Sequence, residues 1–318
     1  MQHRPTPRPE QAFRVSRKMT LTTFPYERVA DVRCGVGESP FWHVVEQAWY
    51  WVGIPDKKIW RYKDSSQPEL AHWNTDEMIG CLALASDGSF IAGMESGIFQ
   101  LQLADQHRVQ AKRLAAPPEL GQGIRFNDGR CDRQGRFWSG TMFMDMAQAK
   151  AVGNLYRYTT QQGVSSPFVS GLLVQNGLAW SADGRTMYLS DSHPNSQLIW
   201  AFDYDCEVGV PHNQRVFVDM KQYQGRPDGA AIDVDGCYWI CGNDGSRLLR
   251  FTPEGKLDRE IMIPMKKPAM CSFGGPNMDV MMVTSIAAGQ AAEDEWAGAT
   301  ILLRPGTQGI AETGFVVE

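Results

Sequence analysis

One pattern recurs six times along the chain of 318 residues, and no other feature constrains the fold as strongly. Each unit has a short run of apolar, β-favouring residues that ends in small side chains, followed after a gap by a second aliphatic and aromatic run. The first runs are 49–53, 90–93, 137–140, 187–190, 238–242 and 280–284. The second runs are 58–62, 97–101, 154–158, 197–202, 247–251 and 300–304.

The spacing of these units predicts a propeller. Turn signals that end in Gly88, Gly135, Gly184 and Gly236 separate the runs, and a period of roughly 40 to 55 residues with several short strands is typical of one blade. A parallel α/β fold is disfavoured because Gly, Pro, Asn and Asp interrupt the intervals where its helices would stand. We therefore expect an all-β, six-bladed β-propeller over residues 25–318, with a central channel lined by the innermost strand of each blade. Residues 1–24 are interpreted as a flexible N-terminal extension.

Charge and composition narrow the class of partner. The net charge is −5 and the Lys and Arg residues are dispersed, which argues against a nucleic-acid partner. The sequence has no run of about 18 apolar residues, so no membrane span is predicted. Its first residues lack the apolar h-region of a signal peptide. The seven cysteines are an odd number without a Cys-x-x-Cys pair, so we expect reduced thiols and a cytoplasmic location. A small solute is the expected partner.

Four polar islands lie between the apolar runs, and each begins an innermost strand in the predicted propeller. Strands that line one channel would bring the islands together at one end, where their oxygen atoms suit a hard divalent cation. Asn-Gly and Asp-Gly are also the commonest turn dipeptides, but the equivalent placement of the islands within the repeat favours a metal site. The islands are 37–40, 125–129, 175–177 and 226–229, and the candidate ligands are Glu38, Asn127, Asn176 and Asp228.

Arg125 and Asp145 are further candidates. Arg125 stands two residues before Asn127, so both side chains would leave a strand on the same face and the guanidinium could bind substrate oxygens. A surface salt bridge is the alternative interpretation for Arg125. Residues 145–152 are the best candidate for a short helix, inserted over one mouth of the channel. His193 is interpreted as structural.

At these residues the chain resembles the SMP-30/gluconolactonase/LRE-like family, which includes regucalcin and bacterial sugar lactonases. The resemblance runs from about residue 32 to residue 310 and is carried by 37–40 with Trp42, 125–129, 140–142, 176–178 with Trp180, 227–229 and 271–275. It implies one divalent cation held by residues matching Glu38, Asn176 and Asp228, with Asn127 close by. It also implies that Arg125 and Asn127 hold a sugar lactone. Asp145 matches the position of a family glutamate that contacts substrate and is one methylene shorter.

The resemblance and the residues together predict a metal-dependent carboxylic ester hydrolase of the gluconolactonase type. It would open an aldonolactone, a gluconolactone or a pentonolactone such as arabinono- or xylonolactone, with Asp228 as general base. We expect Ca²⁺ or Zn²⁺, and Mg²⁺, Mn²⁺ or Fe²⁺ remain alternatives. An organophosphate or other-lactone hydrolase, and a non-enzymatic calcium-binding protein, are the rival functions. A monomer or weak homo-oligomer is expected.

Overall fold

The computed structural model describes residues 22–104 and 107–318. It contains six separate β-sheets of four or five strands, built from strands that are consecutive in the chain except that the first two strands join the last two sheets. The predicted all-β, six-bladed propeller is confirmed. Residues 1–21 of the predicted extension lie outside the described residues.

The strands are short and follow one another blade by blade. Two precede the first blade, β1 (Thr22–Thr23) and β2 (Tyr26–Arg28). Blade 1 has β3 (Gly37–His43), β4 (Ala48–Gly53), β5 (Lys58–Lys63) and β6 (Glu69–Asn74). Blade 2 has β7 (Ile79–Leu84), β8 (Phe90–Met94), β9 (Ile98–Leu103) and β10 (Val109–Ala115). Blade 3 has β11 (Ile124–Cys131), β12 (Phe137–Phe143), β13 (Gly153–Thr159), β14 (Gly163–Val164) and β15 (Val169–Leu172).

The second half of the ring repeats this arrangement. Blade 4 has β16 (Gln175–Trp180), β17 (Thr186–Asp191), β18 (Leu198–Asp205) and β19 (Val210–Asp219). Blade 5 has β20 (Arg226–Ile232), β21 (Tyr238–Asn243), β22 (Arg247–Phe251) and β23 (Leu257–Met262). Blade 6 has β24 (Pro268–Gly274), β25 (Val280–Ser285) and β26 (Ile301–Leu303). Two 3₁₀ turns occur at Met146–Gln148 and Met220–Gln222.

The N-terminal strands close the ring. The innermost strands β3, β7, β11, β16, β20 and β24 contact one another in that order, and β24 returns to β3. Strand β2 forms the outer strand of blade 6, antiparallel to β26, with Tyr26 opposite Leu303 and Arg28 opposite Ile301. Strand β1 adds to blade 5 in parallel with β23. The first and last parts of the propeller are therefore joined in one sheet, which covers an edge that would otherwise be open.

The hydrophobic core lies between blades. The buried apolar residues form six clusters, and each combines side chains from two neighbouring blades. Fully buried tryptophans such as Trp138 and Trp239 provide much of the packing volume. Their indole N–H groups donate to buried carboxylates in the preceding turn, Trp138 to Asp132 at 3.3 Å and Trp239 to Asp233 at 2.8 Å. The strands have the apolar pattern of core strands because each sheet packs one face against each of its two neighbouring blades.

All six innermost strands carry a register irregularity at the same place. The shifts fall between Glu38 and Phe41, Ile79 and Cys81, Phe126 and Gly129, Asn176 and Ala179, Pro227 and Ala230, and Pro268 and Cys271. A bulge re-aims the side chains beside it and bends its strand. The polar islands lie at these bulges, so the repeat places them at one end of the channel.

The insertion predicted over a channel mouth contains one 3₁₀ turn, Met146–Gln148, in place of a longer helix over residues 145–152. Ala149 ends it in the left-handed conformation, which stops further helical hydrogen bonding. Within residues 22–104 and 107–318, no helix has the length and apolar character needed to cross a bilayer.

Candidate active site

The structure brings five of the six predicted site residues into one cavity. Glu38, Arg125, Asn127, Asn176 and Asp228 all line it, and they come from the innermost strands of blades 1, 3, 4 and 5. The cavity volume is about 240 Å³, smaller than the roughly 300 to 1,000 Å³ pockets that hold drug-sized ligands. The size therefore suits a small solute. The chemical roles of these residues stay predictions.

A chain of hydrogen bonds orders the amide side chains. Arg125 Nη1 donates to Asn127 Oδ1 at 2.8 Å, and Asn127 Nδ2 donates to Asn176 Oδ1 at 3.1 Å. Asn176 Nδ2 in turn donates to Ser192 Oγ at 2.8 Å. Both amides therefore have a partner on the oxygen and on the nitrogen, which fixes their orientation. An amide oxygen has two lone pairs, so the oxygen of Asn176 keeps one free for a further partner.

Asn176 does not lie in a turn, although Asn-Gly is a common turn pair. Asn176 lies in β16, at the start of the bulge, and stands opposite Ser190 of β17. Gly177 has a φ of +62°, and a Cβ there would lie 2.5 Å from Ser190 Oγ. Glycine is needed at this position because φ is positive and the strand approaches a buried neighbour too closely for a Cβ.

Glu38 is a buried carboxylate with little compensation from the protein. It is 6% exposed, and its one hydrogen bond comes from Ser39 N at 3.4 Å. Burial raises the pKa of Glu38 well above its usual range, and repulsion from Asp228 and Asp128 adds to the increase. The position therefore costs the fold free energy unless a positive charge stands beside it.

The carboxylate of Asp228 is hydrogen-bonded through one of its two oxygens. Asn243 Nδ2 donates to Asp228 Oδ2 at 2.7 Å, whereas Oδ1 has no hydrogen-bond donor among the described residues. Burial raises the pKa of Asp228 to about 7, against the opposing effect of Arg226. The anchored oxygen orients the carboxylate, and the second oxygen is available to the cavity.

A divalent cation fits this set of donors. Glu38 and Asp228 are both buried and repel each other, and a cation between them would replace that repulsion with attraction. With Asn176 they form an oxygen-only set, which hard cations prefer. The described residues contain no cluster of three or more His, Cys, Asp or Glu side chains suited to a metal. An amide oxygen is therefore needed to complete the set.

Asp145 lies apart from these five residues. It caps the 3₁₀ turn, where its carboxylate accepts from Ala147 N at 3.2 Å and from Gln148 Nε2 at 2.8 Å. The neighbouring Met146 lines the cavity, whereas Asp145 does not. His193 supports this turn, because its Nε2 lies 3.0 Å from Met146 O. A substrate contact by Asp145 stays a prediction.

Several lining residues were not predicted from the sequence. They are Met142, Met146, Ser192, Arg226, Asn243 and Lys267, together with apolar residues of the rim. Arg226 begins an island and stands one residue before Pro227, as Arg125 stands before Phe126. This repeated placement is the signal that could have identified Arg226. Lys267 has the same placement, but no polar island follows it.

The fold and the cavity define the class of protein: a six-bladed propeller with an acidic and amide-rich site at one end of its channel. Residues 36–287 match the SMP-30/gluconolactonase/LRE-like region. The chain belongs to the SMP-30/gluconolactonase/LRE-like family, which confirms the resemblance identified in the sequence.

Homologous proteins align with nearly the whole chain. The 6-deoxy-6-sulfogluconolactonase of Pseudomonas putida is 35% identical over 88% of this chain and 94% of its own length. Regucalcin of Xenopus laevis is 32% identical over 93% of this chain and 99% of its own. Among solved structures, a luciferin-regenerating enzyme superposes with a TM-score of 0.85 at 26% identity, covering 92% of this chain and 100% of that one.

Proposed function

We propose that the protein is a divalent-metal-dependent lactonase that hydrolyses a sugar aldonolactone, a gluconolactone or a pentonolactone, to the aldonic acid. One observation carries the proposal: two buried carboxylates and two ordered amides share a small cavity with Arg125. The name of the Pseudomonas putida relative supports the choice of a sugar lactone. The cavity combines acid–base groups with hydrogen-bond donors, as hydrolysis of a polar ester requires.

Glu38, Asn176 and Asp228 would hold the cation. When bound, it supplies Lewis acidity toward the lactone carbonyl and lowers the pKa of water. Ca²⁺ is favoured by the oxygen-only donors, and Zn²⁺, Mg²⁺, Mn²⁺ and Fe²⁺ are tested beside it. Asn127 positions the oxygen of Asn176 through its hydrogen bond.

Asp228 is the proposed general base. Its Oδ1 can accept the proton of the water that attacks the carbonyl carbon, while Asn243 holds Oδ2 in place. The ring C–O bond then breaks, and the ring oxygen takes up the proton that Asp228 accepted, which gives the hydroxyl of the aldonic acid and restores the base. Arg125 and Asn127 orient the sugar hydroxyls, and fixed orientation lowers the entropic part of the barrier. Asp145 is retained as a proposed substrate contact.

The cysteines support a cytoplasmic location for this activity. All seven lie within the described residues and are free, and burial raises the pKa of Cys34 and Cys81 to about 12. Such thiols are unreactive and need no oxidising compartment.

A lactone panel tests the proposed function. Metal-free protein is assayed on glucono-, xylono- and arabinonolactone and on γ-butyrolactone, before and after each divalent cation is added. Loss of two hydroxyl partners, each near the middle of the range of about 1 to 3 kcal/mol, should place γ-butyrolactone at least about a hundredfold below the sugar lactones in kcat/KM. Chelator should remove both activities. Full turnover in chelator would contradict the metal requirement, and equal rates on all lactones would contradict the sugar-binding roles.

A calcium-binding protein without enzymatic activity is the second candidate, because the regucalcin of Xenopus laevis is 32% identical to this chain and a solved regucalcin is named a calcium-binding protein. It would bind Ca²⁺ in calorimetry and hydrolyse no lactone in the same panel. The alternative hydrolase, acting on organophosphates or apolar lactones, would prefer γ-butyrolactone or paraoxon to the sugars. The polar donors that surround the cavity argue against it.

A further inference from the structure

A cationic residue occupies the same repeat position in three blades. Arg125, Arg226 and Lys267 each stand one residue before the start of the bulge in β11, β20 and β24, and all three line the cavity. We propose that Lys267, opposite Arg125, forms a subsite for an acidic substituent of the substrate. The substrate class would then be an aldonolactone with an acidic group remote from its carbonyl. This inference rests on the proposed lactonase function.

Arg226 is already committed to the protein. Its Nη1 donates to Ser192 O at 2.7 Å, its Nη2 donates to Asn243 Oδ1 at 3.0 Å, and its Nε pairs with Asp244 Oδ2 at 2.9 Å. All three nitrogens have partners, and Asp244 compensates the charge. Arg226 therefore positions Asn243 and does not offer a free cation to a ligand.

Lys267 differs in that its charge has no carboxylate partner within ion-pair distance in the described part of the chain. Its Nζ donates to one neutral acceptor, Ala288 O, at 3.0 Å. Its backbone is fixed, because Ile286 N donates to Lys267 O at 3.0 Å. An ammonium group has three donors, so two remain for a ligand. A half-buried cation of this kind at a cavity wall attracts an anion.

The ring order places this ammonium across the channel from Arg125. Blade 3 carries Arg125 and blade 6 carries Lys267, and blades three apart in a closed ring of six face each other. Arg125 also lacks a carboxylate within ion-pair distance among the described residues, and its Nη1 is used on Phe126 O and Asn127 Oδ1. A lactone held at one end by Arg125 therefore presents its other end to Lys267.

The charge of the cavity favours an anionic ligand. Because Arg226 is paired with Asp244, the carboxylates of Glu38 and Asp228 are balanced by Arg125 and Lys267. The cation of the proposed function would then add two positive charges. A lysine recognises charge more than shape. Sulfonate, phosphate and carboxylate groups therefore share the proposed chemistry, and the experiment must distinguish them.

Binding of ligands that cannot react provides the direct test. The probes are 1,5-anhydroglucitol, which has no lactone carbonyl, and derivatives with a sulfonate, a phosphate or a carboxylate on the terminal carbon. Calorimetry on the full chain, with and without Ca²⁺, should show at least tenfold tighter binding of one or more acidic probes than of the neutral one. Lys267→Gln should remove most of that preference, and 0.5 M salt should reduce it. Lys266→Gln is the matched control, because Lys266 is exposed and does not line the cavity.

Kinetics give the second readout and separate the two proposals. The ratio of kcat/KM for acidic over neutral gluconolactones should exceed ten and fall several-fold in Lys267→Gln. Equal binding of neutral and acidic probes would overturn the subsite. A Lys267→Gln variant that weakens neutral and acidic probes by the same factor would also overturn it. Hydrolysis of neutral lactones without an acidic preference contradicts only this inference, whereas failure to hydrolyse any lactone contradicts the proposed function.

Discussion

At the scale of single residues, Glu38 shows how the proposed site conflicts with stability. Its carboxylate is buried beside Asp228 and Asp128, and its pKa is raised. The folded state therefore holds protons that the unfolded state releases, and stability is lost as pH rises from the unfolded pKa toward the folded one. Functional sites commonly carry this kind of cost.

Metal-free protein should accordingly lose thermal stability as pH rises from about 4, the ordinary carboxyl range, toward the raised pKa values of Glu38 and Asp228, of which that of Asp228 is about 7. Glu38→Gln should flatten this profile, because the amide keeps the shape and removes the charge. The same variant should lose the increase in Tm that Ca²⁺ gives the wild type. Melting curves across pH, with and without cation, measure both effects. A variant that still responds to Ca²⁺ would exclude Glu38 as a ligand.

Asp228→Asn tests the proposed base. Asparagine can still accept the hydrogen bond from Asn243, so the fold should be retained, whereas the proton acceptor is lost. Turnover should fall by about 10²- to 10⁴-fold, the range of general base catalysis. Asp64→Asn, at an exposed loop position, is the control. A variant with normal turnover and normal metal content would rule out this role.

The sequence anticipated the acidic and amide residues because they interrupt apolar strands at repeated positions. Glu38, Asn127, Asn176 and Asp228 do line one cavity. Lys267 was missed because it precedes an apolar strand, with no polar island to mark it. The cap bonds of Asp145 were also beyond sequence reasoning, since they depend on the conformation of a three-residue turn.

At the scale of elements, the bulged innermost strand is the unit that builds the site. The repeated runs predicted the two strands that follow the innermost strand of each blade, which the sheets confirm. The sequence did not predict the bulges, because a bulge leaves no mark in the composition of a strand. It nevertheless shifts every later side chain to the other face.

Gly177→Ala tests the bulge in β16. A Cβ at this position would meet Ser190 Oγ at 2.5 Å and Tyr238 Oη at 2.6 Å, and φ is +62°. We expect a loss of about 1 to 3 kcal/mol in the free energy of unfolding, with weaker cation binding because Asn176 shifts. Gly163→Ala is the matched control, since φ is +68° there and a Cβ meets nothing within 4 Å. Equal losses in both variants would assign the effect to backbone strain alone.

At the scale of the whole molecule, closure of the ring depends on a strand from the chain's start. Strand β2 is the outer strand of blade 6, and Tyr26 packs edge-on against Trp296 with ring centroids 5.5 Å apart. The sequence predicted six blades but not this closure, because a three-residue strand is too short to show a period. Strand β1 lies at the end of the segment interpreted as an extension, and the closing strand β2 begins two residues after that segment.

Two truncations distinguish the extension from the closing strand. Removal of residues 1–18 should change Tm by no more than about 1 °C, because this Pro- and Arg-rich segment has little apolar surface to offset its ordering entropy. Removal of residues 1–28 deletes β1 and β2 and leaves β26 as an open edge. The loss of a few kcal/mol should lower Tm by several degrees, at roughly 2 to 4 °C per kcal/mol for larger domains. It should also increase aggregation, since unpaired backbone groups on the exposed edge can pair with another chain. If the shorter truncation lowered Tm as far as the longer one, the first 18 residues would have to pack on the propeller.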